Sequence, residues 1–166
     1  YTYNQTYGEV LNAYNSTPMM QVFMVEENYE DEDLEGDIGT PLVLREQEYW
    51  KMTSGEQGQF YGSNFTDKIA MGWNSSDIDS TGVTQLQYAT NLFSSLPWYN
   101  LVPDQNHAVV TAGYGTSNGN DNALNNATYA TTAWIPDGSL AITYTPVATT
   151  LTVNMAKMNG TTMAQW

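Results

Sequence analysis

Helical periods dominate this chain before Pro103, and short alternating runs dominate after it. Tyr7, Val10, Leu11 and Tyr14 recur at i, i+3, i+4 and i+7, which predicts a helix over Thr6–Asn15 with Thr6 and Glu9 spaced as a capping box. The run from Gln21 to Val25 is short, apolar and uninterrupted, as in a strand buried on both faces of a parallel sheet. "TPLVLREQEYWKMTSG" has Thr40 placed as N-cap, Pro41 at the first helical position and Gly55 past the end, so a second helix is expected there. "GQFYG", Gly58–Gly62, reads as another buried strand. A third helix carries Val83, Leu86, Ala89, Thr90 and Phe93 on one face.

Strands alternating with helices imply right-handed crossovers and a parallel sheet, but two strands cannot cover both of their own faces. After Pro103, "HAVVTAGY", "ATYATTAWI", "SLAITYT" and "TLTVNM" are separated by turn signals at Pro136-Asp137-Gly138 and at Pro146. That spacing predicts an antiparallel sandwich with a hairpin turn at "PDGS". The chain ends at "AQW", within what reads as one more strand. Two units are therefore expected, residues 1–102 and 103–166.

Composition narrows the partners. Lys and Arg total 4 against 18 Asp and Glu in 166 residues, a formal net charge of -14 that repels phosphate backbones and disfavours nucleic acid. Hydrophobic residues make up 41%, enough for a folded core, and no run reaches the length of a membrane span. Cysteine is absent, which removes disulfides and thiol catalysis. A Cys-free, acidic, Tyr/Asn/Thr-rich chain fits a secreted, extracellular microbial protein.

"VFMVEENYE", "REQEYWKMTSGEQGQFYG", "LPWYNLVPDQ" with "VVTAGYG", and "PDGSLAITYTP" with "LTVNMAKMNG" occur in the order found in the apiosidase-like glycoside hydrolases, which this chain resembles from Tyr3 to Trp166. The resemblance implies the last two strand–helix units of a TIM-type α/β barrel followed by an antiparallel β-sandwich, itself incomplete, of the kind often labelled a collagen-binding domain. A whole barrel takes about 250 residues. The resemblance thus implies a missing N-terminal barrel portion, a companion chain or self-assembly.

In such barrels the site lies at the C-terminal ends of the strands, where side chains leave the packed interior. Glycosidic bonds are cleaved by two carboxyl groups, roughly 5 to 5.5 Å apart in retaining enzymes, one protonating the leaving oxygen and one attacking the sugar carbon. The resemblance implies Glu26 as nucleophile, with the general acid on an earlier strand outside this sequence and a polysaccharide or glycoside as substrate. The competing reading is that Glu26 only opens a solvated acidic loop, "EENYEDEDLEGD". Glu27 competes for the catalytic place, because one residue of register decides which carboxylate faces the pocket. Glu27, Tyr29 and Glu30 otherwise support the loop. Tyr61 and Asn64 follow the other strand and are candidates to stack on a sugar ring and to hydrogen-bond its hydroxyls. Asn64 also begins a glycosylation triplet, which would exclude that role.

Asp31, Asp33, Glu35 and Gly36 begin like an EF-hand loop, but its twelfth position falls on Leu42, where a Glu is required, so no metal site is assigned. His107 is the only histidine and reads as a residue of the domain junction. No cofactor motif is present: "GYGTSNGNDN" lacks the context of a phosphate or dinucleotide loop. Tyr49, Trp50 and Met52 are expected in the core, and Arg45 beside the acidic loop or in solvent. Trp73 and Trp98 are expected to pack the barrel end. The rival class is a non-catalytic extracellular module, an adhesin or filament subunit, assembling through an open apolar sheet edge.

Overall fold

A computed structural model describes residues 5–34, 37–67, 78–117, 124 and 127–166. Trp73, Glu35 and Gly36, and the second half of "GYGTSNGNDN" lie outside the described residues.

Helix α1 (Thr6–Tyr14) buries Tyr7 and Val10 as the spacing predicts, but the capping box does not form. Gln5 is the N-cap, and Thr6 falls inside the helix, where its hydroxyl donates to the Gln47 carbonyl at 3.2 Å. Helix α2 (Pro41–Thr53) starts on Thr40, whose Oγ1 accepts from the Val43 N–H at 3.3 Å. It stops before Gly55, where φ is 103° and an added Cβ would lie 2.4 Å from the Tyr14 ring. Helix α3 is the short Asn64–Asp67, and α4 (Thr81–Ser94) starts on Ser80, whose Oγ accepts from the Val83 N–H at 3.1 Å. Ala89 and Phe93 are buried on α4, whereas Thr90, expected on the same face, is exposed and donates to Gln59.

Between α1 and α2 the acidic stretch is not a plain loop. It folds into a hairpin of β1 (Asp33–Leu34) and β2 (Asp37–Ile38), antiparallel. The two strands expected at Gln21–Val25 and Gly58–Gly62 form no ladder. Their segments join at the ends only, through Gln57 N–H to the Val22 carbonyl (3.0 Å) and a parallel bridge of Glu30 with Ser63. The Gln57 to Val22 bond belongs to a parallel register one residue removed from that of the Glu30–Ser63 bridge, so the two contacts are not parts of one continuous ladder.

The second unit holds two small antiparallel sheets. Strands β3 (Val102–Pro103), β5 (Thr131–Trp134) and β6 (Ala141–Tyr144) form one, in the order β3-β5-β6; β4 (Val110–Ala112) and β7 (Thr152–Val153) form the other. The hairpin at "PDGS" is present, with Trp134 opposite Ala141 and Gly138 at φ 80°. The first strand is shorter than "HAVVTAGY" because the Asp104 carboxylate accepts from the N–H groups of Ala108, Val109 and Val110 at 2.7, 2.8 and 3.1 Å. Those bonds close a turn whose last donor, Val110, is the first residue of β4.

Helix α2 joins the two units. It buries both charged and apolar side chains, and Trp50 lies in a core with Tyr7, Val43, Leu124 and Ala127. The Trp50 indole donates to the Tyr129 carbonyl at 3.1 Å, Thr53 and Thr131 share a hydroxyl bond of 2.6 Å, and Tyr49 stacks on Tyr144 at 4.8 Å. Arg45 turns to Gln85 of α4 (3.0 Å), not to the acidic stretch. His107 stacks on Tyr114 with centroids 3.5 Å apart and lines a shallow cleft with Leu11, Thr53 and Tyr129. Trp98 sits in a 3-10 turn against Tyr99.

Candidate active site

The segments 21–30 and 57–64 run side by side in the same direction, and their tips are fixed to each other. Glu30 N–H donates to the Gly62 carbonyl and Asn64 N–H to the Glu30 carbonyl, both at 2.9 Å. The Tyr29 ring lies over Gly62, where a Cβ would stand 2.4 Å from it, so only glycine admits this approach. The residues after both apolar runs therefore share one rim.

Glu30 closes the rim. It is 3% exposed, and its carboxylate accepts from the Tyr61 hydroxyl (2.5 Å), the Ser80 hydroxyl (2.5 Å) and the Gly82 N–H (2.9 Å) at the start of α4. A carboxylate at a helix N-terminus is stabilised by the unpaired N–H groups and the helix dipole. Burial and the bond to Glu30 push the Tyr61 hydroxyl up to about 12, so it stays a proton donor. Tyr61 thus commits its hydroxyl to Glu30, while Asn64 donates to the Asp31 carbonyl at 3.3 Å. Asp31 is raised by burial and by the Glu30 charge.

Glu26 is half-buried and Glu27 is sealed. Glu27 does not join the acidic hairpin. Its carboxylate accepts from Lys51 of α2 at 2.7 Å, and Lys51 also reaches Glu48 at 3.1 Å. Asn28 likewise faces α2, accepting from Gln47 at 3.0 Å. Glu56, just beyond the helix, accepts from the Met24 N–H at 2.5 Å. Burial raises Glu27 well above the usual carboxyl range, Lys51 opposes it and Glu48 adds to it. Burial lifts Glu56 to about 7. For Lys51, burial alone would lower the ammonium, but Glu27, Glu48 and Glu56 together outweigh it and hold the group charged.

Sequence reasoning missed Lys51, Glu48, Glu56 and Ser80. A signal existed for Lys51: it is one of four cations and stands on α2 next to Trp50, among positions that had to be inward.

Three apolar side chains of these segments remain open while Met24 between two of them is buried: Phe23 is 49%, Val25 58% and Phe60 45% exposed, with Phe23 edge-on to Phe60 at 6.5 Å. Among the described residues, no three His, Cys, Asp or Glu are grouped to hold a metal, and no helix is long and apolar enough to cross a membrane.

The described elements make a small α/β arrangement whose two parallel segments end on a carboxylate-bearing rim. Residues 2–100 match the family of the apiosidase-like catalytic domain, and the chain belongs to that family. Among solved structures it is similar to a glycoside hydrolase family 5 protein from Bacteroides vulgatus ATCC 8482, with a TM-score of 0.74 and 20% identity. The match covers 94% of this chain and 35% of that one, so the chain spans about a third of that protein's length. At that identity the likeness shows the fold alone. No curated protein matches the chain.

Proposed function

We propose that this chain is the C-terminal part of a secreted retaining glycoside hydrolase acting on polysaccharide side chains, with Glu26 as nucleophile. The single observation that supports the reading is the contrast between two adjacent carboxylates on a segment whose tip pairs with 57–64: Glu26 is half-buried, while Glu27 is buried against Lys51. Of the two adjacent carboxylates, only Glu26 keeps exposure to a substrate.

In the reaction a Glu26 oxygen bonds to the anomeric carbon as the glycosidic C–O bond breaks, and an acid on an earlier strand protonates the leaving oxygen. Water, deprotonated by that same group, then displaces Glu26 and restores both carboxyl groups. Glu30, tied to Tyr61, Ser80 and Gly82, holds the rim; the exposed faces of Tyr61 and Asn64 contact sugar. The open stripe of Phe23, Val25 and Phe60 supports a barrel interior completed by further strand–helix units.

The test is aryl-glycoside hydrolysis by the enzyme with its barrel complete, in wild type, Glu26→Gln and Glu26→Ala with azide. Expected is loss of turnover on Glu26→Gln, and on Glu26→Ala with azide a glycosyl azide of inverted configuration. Retention of wild-type turnover by Glu26→Gln would refute the assignment. The same open stripe also favours a second reading, a self-assembling adhesin or filament subunit. Light scattering after size exclusion separates them: a concentration-dependent ladder of oligomers of this chain supports assembly, and a monomer counts against it.

A further inference from the structure

The chain on either side of Glu26 is gripped by helix α2 and by the residues that follow its C-terminus. On one side the Met24 N–H donates to Glu56 Oε1 at 2.5 Å; on the other, Glu27 Oε1 accepts from Lys51 Nζ at 2.7 Å. Lys51 is fully buried and is braced by Glu48 one turn earlier on α2, at 3.1 Å. Helix α2 is in turn fixed to strand β5 through Thr53 to Thr131, and to the residues just before it through Trp50 to the Tyr129 carbonyl. The segment carrying Glu26 has no strand ladder of its own between residues 22 and 30 among the described residues, so its backbone is not set by sheet pairing there.

We propose that Lys51 and Glu56 are positioning residues for the Glu26 carboxylate, clamping the chain at residues 24 and 27 so that residue 26 meets the sugar in one defined place. The proposal rests on Glu26 being the nucleophile. A nucleophile must approach its carbon within a few tenths of an ångström and along one line, so slack of about 1 Å costs on the order of 100-fold in rate. Positioning of this kind acts on the bond-making step, and therefore on kcat, while substrate affinity is set elsewhere on the rim.

Three variants of the complete enzyme test it with an aryl glycoside: Lys51→Met, the double variant Glu27→Gln with Lys51→Met, and Glu56→Ala. Lys51→Met strands buried carboxylates and is expected to lower the melting temperature. The double variant removes a partner charge, recovering stability without restoring the grip. Its expected signature is a melting temperature back near wild type, kcat lowered at least tenfold and KM unchanged; Glu56→Ala, which frees Met24, is expected to show the same split. A double variant that regains kcat together with stability overturns the proposal, as does a Glu56→Ala enzyme that is folded and kinetically wild type. Should Glu26→Gln itself retain turnover, the nucleophile assignment fails; a dead Glu26→Gln beside unaffected clamp variants refutes the clamp alone.

Discussion

Glu56 should make this protein less stable as pH rises through neutrality. An unfolded glutamate ionises near 4.5, whereas burial in the fold lifts Glu56 to about 7. Between those values the folded chain keeps a proton that the unfolded chain has released. The resulting stabilisation is complete below the lower value, falls steadily as pH rises, and is gone above the upper one. The interval from 4.5 to about 7 is worth about 3 kcal/mol at about 1.4 kcal/mol per pH unit. Gln is the informative replacement, because its carbonyl oxygen can still accept from the Met24 N–H, the bond that Glu56 makes at 2.5 Å, and it cannot ionise. Urea unfolding at pH 5, 6, 7 and 8 gives free energies for wild type and Glu56→Gln. A fixed cost of placing an amide where Glu56 Oε2 has no partner is the same at every pH and drops out of the comparison. Glu46, lifted to about 8 by burial against the pull of Arg45, slopes both curves in the same direction. The expected result is that wild type loses about 2–3 kcal/mol more than the variant between pH 5 and 8. Parallel curves would show that Glu56 releases its proton at an ordinary carboxyl value, and that the buried cluster holds no proton there.

Trp50→Ala empties the centre of the core and removes the bond to the Tyr129 carbonyl; a loss of about 3–5 kcal/mol in chemical denaturation is expected. Asp104→Ala strips the acceptor from three N–H groups, two of them on buried residues, Val109 and Val110, and should cost about 1–3 kcal/mol for each of those two donors left dry, read in the same assay. Gly82→Ala improves helix propensity by up to about 1 kcal/mol. Its Cβ would nevertheless stand 2.5 Å from the Glu30 carboxyl carbon. Net destabilisation is expected, with the Tyr61 ring resonances displaced in NMR spectra; a stabilised variant with unmoved Tyr61 would contradict the packing.

Start and stop chemistry made the helices legible. Thr40, Pro41 and Gly55 bound α2 because a cap, a preset φ and a left-handed exit act within a few residues of chain. The Thr6–Glu9 box failed for the opposite reason: the Thr6 hydroxyl is taken by the Gln47 carbonyl of a helix about forty residues away, a partner that spacing does not reveal. The same limit applies to the rim. "QVFMV" and "GQFYG" read as strands from their apolar content, but pairing is a property of two segments, and here their register slips between the ends. Glu26 and Glu27 are neighbours with the same side chain; nothing local shows that Lys51 faces one of them. The role of Glu30 at the start of α4 depends on Ser80 and Gly82, fifty residues downstream, and was equally hidden.

The buried cluster also bears on why such a chain spends a cation in its interior. With 4 Lys and Arg against 18 carboxylates, exposed acidic groups have few counter-charges, yet Lys51 is withdrawn from all of them to sit with Glu27, Glu48 and Glu56. Stability does not account for this. Removing an ammonium and three carboxyl groups from water costs several kcal/mol for each ion, and apolar replacements of similar volume are often as stable or more so. What apolar packing cannot supply is direction. A hydrophobic contact tolerates sliding, whereas Lys51 on Glu27 and Glu56 on the Met24 N–H each fix a donor to an acceptor at hydrogen-bonding distance. An ion cluster beneath an unladdered segment exchanges stability for a defined backbone position, and that exchange favours the protein only if residue 26 has to be in one place.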